Sequence, residues 1–324
     1  MAPERALVTG AAGFIGAALA RRLLAEGHAV TLLVGPTSDL WRVEQLRGDA
    51  ELVAVDLRDA GAVEAAMGRA RPELVFHLAA HGAYSWQQSL PRMIETNVAG
   101  IAHVVEAAHR AGVRAIVNAG SSSEYGLKDH APPEYELPEP NSGYAITKAA
   151  ATLYGGWAAR SRQQAVTTLR LYSAYGPWEE PRRLIPAVVV HGLDGRLPPL
   201  VDPRIARDFV YLEDVLDAFR LAAERARPGE GAVYNVGSGA QTTLRDLAEA
   251  ARRVFGIAEQ PAWGSFPARH WDTDVWVADP RRIEAGLGWR ARTPIDEGLA
   301  ATARWLEQRP ELAARYRDAI AAPA

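Results

Sequence analysis

Tyr144 and Lys148 are the pair in this chain whose types and spacing most directly suggest chemistry. They bracket the run Tyr144-Ala145-Ile146-Thr147-Lys148, which opens a proline-free, helix-forming stretch over residues 144–160. Positions four apart lie on one face of a helix, so the phenol and the ammonium would address the same small volume. A free phenol titrates near pH ~10, and a nearby cation stabilises phenolate, bringing the group toward the range where it can both take and give a proton. The same spacing occurs on ordinary amphipathic helices, so a second feature has to support it. That feature is Leu7-Val8-Thr9-Gly10-Ala11-Ala12-Gly13-Phe14-Ile15-Gly16, an apolar strand running through glycines into a helix. Glycines at such a turn let the backbone bend sharply, approach a diphosphate and pack helix on strand, while the helix N-terminus offers N–H donors. The order Gly-x-x-Gly-x-x-Gly, then Tyr-x-x-x-Lys about 130 residues later, pairs a dinucleotide cradle with a proton-transferring tyrosine.

The elements that must hold these groups follow from periodicity. Strand-length apolar runs at residues 6–9, 29–34, 52–55, 74–78, 113–117 and 166–171 alternate with helix-length segments at 17–26, 60–69 and 101–111. Such alternation predicts an α/β fold with a doubly wound parallel sheet of the Rossmann type. Gly27 and Gly112 stand just past two of the helices, where a left-handed C-cap belongs. Residues 1–172 read as the dinucleotide-binding domain. Residues 173–324 read mainly as a smaller α/β substrate-binding domain, with some segments returning to the first core. Residues 127–143, rich in Pro, Glu and Asp, form a surface loop before the catalytic helix, and 242–255 and 294–308 are structural helices. The alanine-rich C-terminal tail is expected to fray.

Composition excludes several classes. With 324 residues, 48% of them hydrophobic, the chain can bury one large core or two adjoining ones. Lys and Arg number 36 against 39 acidic residues, with no long run of one sign, so no nucleic-acid surface is expected. Cysteine is absent, which removes disulfides and thiolate metal sites. His77 and His81 straddle a strand end without an acidic partner at ligand spacing, so no metal is expected. No apolar stretch approaches ~18 residues and no signal-type segment precedes the first strand, which points to a cytoplasmic protein with no membrane partner.

Eight motifs together carry a family likeness. TGAAGFIG and YAITK are joined by HLAA at residues 77–80, NVAG at 97–100, SSSEYG at 121–126, RLYSAYGP at 170–177, RDFVYLEDV at 207–215 and YNVGSG at 234–239. In this order they resemble the extended short-chain dehydrogenase/reductase superfamily, in its nucleotide-sugar epimerase, dehydratase and reductase branch. The resemblance implies a nicotinamide cofactor, NAD or NADP, held by Gly10, Gly13, Phe14, Ile15 and Gly16 at the diphosphate, by Asp56 and Leu57 at the adenine, and by Leu78, Ala79, Ala80, Asn97, Tyr144 and Lys148 toward the nicotinamide. An acid that selects NAD usually ends the second strand. Here that place is Gly35, and Arg42 downstream is a candidate for an NADP 2'-phosphate.

For the substrate, the likeness implies a nucleotide-diphospho-sugar between two domains and a homodimer. Ser121 falls where the family's carbonyl-polarising hydroxyl sits. Ser122 and Ser123 occupy the places of the acid and base of 4,6-dehydratases, and neither is a carboxylate. His81, Glu124, Ser173, Arg183, Arg207 and Arg269 are further substrate-contact candidates, Ser173 standing where many relatives have Asn. The expected reaction is 4-epimerisation: Tyr144 takes the 4-hydroxyl proton, hydride leaves C4, and the 4-ketone turns over before reduction. The alternative is one-way NADPH reduction of a 4-keto-6-deoxy sugar nucleotide. A non-catalytic dinucleotide sensor is a third reading, disfavoured by the intact Tyr144 and Lys148.

Overall fold

The computed structural model describes residues 3–267 and 272–322. The first half alternates as read: β1 (Arg5–Thr9), α1 (Phe14–Ala25), β2 (Ala29–Val34), β3 (Glu51–Ala54), α2 (Ala60–Ala70), β4 (Leu74–His77), α3 (Leu90–Met93), α4 (Gly100–Arg110), β5 (Ala115–Ser121), α5 (Gly143–Arg162) and β6 (Val166–Leu171). The second half adds β7 (Ser173–Tyr175), α6 (Leu184–Leu193), β8 (Ala206–Arg207), β9 (Phe209–Tyr211), α7 (Leu212–Arg225), β10 (Val233–Val236), β11 (Thr242–Thr243), α8 (Leu244–Phe255), α9 (Arg281–Leu287), α10 (Ile295–Glu307) and α11 (Pro310–Ala321).

Seven strands form one parallel sheet in the order β10-β6-β5-β4-β1-β2-β3. The order reverses between β1 and β4, the place where such sheets bind ligands outside the strands' carboxyl ends. Every residue of β4 and β5 is buried, because helices cover both faces. On one face α1 and α7 pack through Leu19, Leu23, Val215 and Phe219, whose ring meets Phe76 edge-on at 6.4 Å. The other face is covered by α2, α4 and α5 through Val63, Val104, Ala151 and Ala158. A third cluster, with Ile185, Val189, Leu247, Leu299 and Leu306, lies outside the sheet on α6, α8 and α10.

Local chemistry starts the helices that matter. Ser142 caps α5 by accepting from Ala145 N at 3.2 Å, and this fixes where Tyr144 begins the catalytic face. Between α3 and α4 the chain winds as a π-helix over Ile94–Ala99 and buries Asn97. Such wide turns rotate the register of a helix and recur at functional sites.

The C-terminal tail corrects an expectation. Residues 310–321 are a docked helix, not a frayed end, because Tyr316 is 2% exposed and packs against Trp41 at 6.3 Å and Trp305 at 6.1 Å. Its hydroxyl donates to the Glu179 carbonyl at 2.7 Å. Alanine composition hid a single aromatic anchor. Tyr316→Ala should therefore cost about 3 kcal/mol of stability in urea unfolding; a loss below ~0.5 kcal/mol would show that α11 is not anchored there.

Candidate functional site

The glycine turn is built for close approach. Gly10 has φ +66°, and a Cβ placed on it would lie 2.6 Å from the backbone N of Ala79. On Gly16 the same atom would come within 2.4 Å of the Gly10 carbonyl. Gly13 caps α1 without a side chain over the first turn, so the N–H groups around Phe14, Ile15 and Gly16 have no side-chain capping partner. This is the donor set a diphosphate needs, and the residues present fit the cofactor that the motif implies. One support was not read from the sequence: Thr9 Oγ1 lies 2.9 Å from His77 Nδ1 and accepts from Ala79 N at 3.3 Å. It fixes Leu78, Ala79 and Ala80 against the turn. Burial pushes the His77 imidazole down to about 3, so it stays neutral beside Lys148.

Ser121, Tyr144 and Lys148 meet at the carboxyl end of β5. Ser121 ends the strand, and its hydroxyl sits close enough to the Tyr144 phenol to favour the ionised form. Lys148, 4% exposed, donates its Nζ to the Ala119 carbonyl in the same strand. The direction of the tyrosine's pKa differs from expectation. The phenol is pushed up to about 12 by the protein packed around it, and the Ser121 hydroxyl pulls the other way. Burial lowers Lys148 to about 8, opposed by Glu124. The ammonium is spent on a strand carbonyl rather than on the phenol, so the pair alone does not make phenolate.

Glu124, a substrate candidate by sequence, is committed to partners inside the protein. It is fully buried: Oε1 accepts from Ser121 N at 2.9 Å and Thr152 Oγ1 at 3.0 Å, and Oε2 from Arg170 Nε at 2.8 Å. Burial pushes its carboxyl up while Arg170 holds it down. Arg170 lies 4.4 Å over the Tyr125 ring, and the Tyr125 hydroxyl donates to Asn235 in β10 at 2.7 Å. Ser122 is buried and Ser123 half-buried beside this network. Asn97, a cofactor candidate by sequence, acts as a clamp within the protein. Its Oδ1 accepts from His81 N at 2.7 Å, and its Nδ2 donates to the His81 carbonyl at 2.8 Å and to Thr147 Oγ1 at 2.9 Å. Its amide is filled by protein partners, and they hold the His81 loop to α5.

Arg42, the 2'-phosphate candidate, is 6% exposed, with Nε donating to the Trp178 carbonyl at 2.7 Å and Nη2 paired with Glu180 at 3.5 Å. Next to it Glu179 is buried with its Oε2 unpartnered, and burial pushes that carboxyl up to about 8 against the pull of Arg183 and Arg42. Asp56 is held by Arg58 in a two-pronged bond and drops to about 2, and the Leu57 carbonyl lies 2.8 Å from His103 Nδ1. Arg183 donates to the Ala83 carbonyl at 2.9 Å, and Arg207 pairs with Asp272 at 3.2 Å. Ser173 sits in β7, its N–H on the Asp208 carbonyl at 2.9 Å. Arg269 lies outside the described residues.

Glu179 gives the fold a pH dependence whose sign is fixed. In an unfolded chain its carboxyl loses its proton near 4.5, and in the folded protein near 8. Between those values the folded state holds the extra proton, so stability is full below about 4.5 and falls as pH rises to about 8. Urea unfolding at pH 5 and pH 8 should show Glu179→Gln losing less stability than the wild type across that window, by on the order of 1–4 kcal/mol. Equal losses in the two proteins would mean that Glu179 ionises normally.

Comparison with known proteins agrees with this geometry. The model of the NAD dependent epimerase/dehydratase family matches residues 6–237. The UDP-glucose 4-epimerase of Mycolicibacterium smegmatis is 33% identical over 319 residues, 95% of this chain and 100% of that protein. The crystal structure of a Thermotoga maritima UDP-glucose 4-epimerase with UDP-glucose superposes with a TM-score of 0.84 at 27% identity, covering 94% of this chain and 99% of that one. A Thermus thermophilus UDP-glucose 4-epimerase in complex with NAD gives 0.81 at 31% identity, covering 93% and 98%. The chain therefore belongs to the NAD dependent epimerase/dehydratase family, and is an enzyme of the extended short-chain dehydrogenase/reductase type.

Proposed function

We propose that the protein is a nucleotide-diphospho-sugar 4-epimerase that works with a bound nicotinamide cofactor. The observation that carries this is the convergence of Ser121, Tyr144 and Lys148 beside the glycine turn, with serines at 122 and 123 and Glu124 locked to Arg170. Elimination of water needs a carboxylate acid and base next to the sugar, and this loop offers none. NAD, the dinucleotide held by the Thermus thermophilus relative, would accept hydride from C4 and return it. Once it has lost its own proton, Tyr144 as phenolate takes the proton of the 4-hydroxyl as the ketone forms, and gives it back when the other face is reduced. Ser121 hydrogen-bonds the same oxygen, and Lys148 keeps a positive charge beneath the site. The one-way reductase reading rests on the missing acid at Gly35, the missing dehydratase carboxylates and the serine run before Glu124, and it is the less supported one because the relatives named above are 4-epimerases.

The nucleotide end would sit in a cleft of about 540 Å³ walled by Val201, Pro203, Trp263, Phe266 and Pro267, whose apolar faces suit a base. Among the described residues no helix is long and apolar enough to cross a membrane. A homodimer is part of the proposal. On α5 Ile146, Leu153 and Trp157 are 54%, 67% and 49% exposed, and Leu90 on α3 and Ile94 at the start of the π-helix add 46% and 50%. An apolar helix face of this kind ordinarily marks an interface.

Two measurements test these statements. Incubation with UDP-glucose should yield UDP-galactose, and Tyr144→Phe should lower kcat by on the order of 10²–10⁴; undiminished turnover in that variant would remove the assignment of Tyr144. Light scattering should give a dimer for the wild type and a monomer for Leu153→Asp, whereas a monomeric wild type would leave the α5 face without this explanation.

A further inference from the structure

Arg42 touches segments that leave the carboxyl edge of the sheet at different places. Its Nη1 lies 3.5 Å from the Ala12 carbonyl in the glycine turn, its Nε is bonded to the Trp178 carbonyl, and its Nη2, buried and without a hydrogen bond, faces Glu180. Trp178 has φ +73°. Of the other non-glycine residues with positive φ among those described, Arg71 and Gln163 end helices, but Trp178 stands in a loop. A tryptophan remains in the left-handed region only where its surroundings hold it. Here Arg21 stacks 3.9 Å over its ring, and Trp41 and Trp305 flank it at 5.8 and 5.0 Å.

From that turn residues 179–183 run to the loop after β4. Arg182 lies 4.2 Å over Trp86, Arg183 holds the Ala83 carbonyl, and Tyr84 and Trp86 stack in parallel at 4.7 Å. One continuous strap thus joins the turn after β1 to the loop after β4, and these are the two strands between which the sheet order reverses.

We propose that Arg42 is a positioning residue for cofactor retention: by tying the strap of residues 178–183 to the glycine turn, it closes the exit of a dinucleotide lying across β1 and β4. This rests on the cleft being the dinucleotide site. The role differs from phosphate recognition, because Arg42 acts through Ala12, Trp178 and Glu180.

The test is the dissociation rate of NADH, followed by its fluorescence after mixing the loaded protein with excess NAD. Arg42→Met should release NADH about tenfold faster than wild type, with Arg42→Lys in between, while kcat at saturating NAD falls less than about threefold. Glu180→Gln leaves the stacking intact and should give a smaller acceleration, so it decides the matter if Arg42→Met fails to fold. Unchanged release in Arg42→Met, or in Glu180→Gln where Arg42→Met does not fold, overturns the proposal, as does a loss of kcat without faster release. A wild-type protein that binds no NADH would overturn the cofactor reading itself, and is told apart by the absence of any loaded complex to chase.

Discussion

A carboxylate and a guanidinium removed from water lie directly under the catalytic serine, and much of the site depends on that pair. Desolvating Glu124 and Arg170 costs several kcal/mol for each ion, and the interior returns it only where the remaining lone pairs and N–H groups are used. Glu124 uses them on the Ser121 backbone and the Thr152 hydroxyl, and Arg170 on the Glu134 carbonyl at 3.2 Å and the Tyr125 face. The end of β5, the middle of α5, the end of β6 and, through Asn235, β10 are thereby bound to one another. Ser121 and Tyr144 belong to two of these elements, and the Glu124 carboxylate joins them by accepting from the Ser121 N–H and from the Thr152 hydroxyl.

Burial then works on the catalytic groups in opposite senses. It favours the neutral form of each, raising the phenol to about 12 and lowering the ammonium to about 8. His77, neutral for the same reason, adds no competing charge at the base of the cleft. The serine hydroxyl and, after it, the Arg183 charge pull the tyrosine back toward ionisation. A polar site this dry is sensitive to any charge that enters it, because little water is present to screen the effect.

The glycine turn, the alternation of strand and helix, and the Tyr144 and Lys148 pair could be read from sequence because each is a local matter: spacing within one turn, or one face of one helix. Arg42, Asn97 and Glu124 could not. The partner of Arg42 is 136 residues away, that of Asn97 is 50 away, and that of Glu124 is 46 away. A side chain's type announces its charge, while its direction depends on neighbours the sequence brings near only after folding. All three resembled ligand contacts and are internal braces. Similarly, α11 looked like an unstructured tail because helix-forming alanines carry no packing information, and the anchoring ring of Tyr316 is a single residue.

Helix α5 faces two ways at once. Tyr144, Lys148 and Thr152 line its inner face, and Ile146, Leu153 and Trp157 its outer one. Inserting or deleting one residue in an α-helix turns everything beyond it by about 100°. A change of length between Ser142 and Trp157 would swing the outer apolar side chains toward the Glu124 pair and carry Thr152 outward. Evolution can therefore repaint this helix residue by residue, but its length is frozen by two surfaces that must stay in phase.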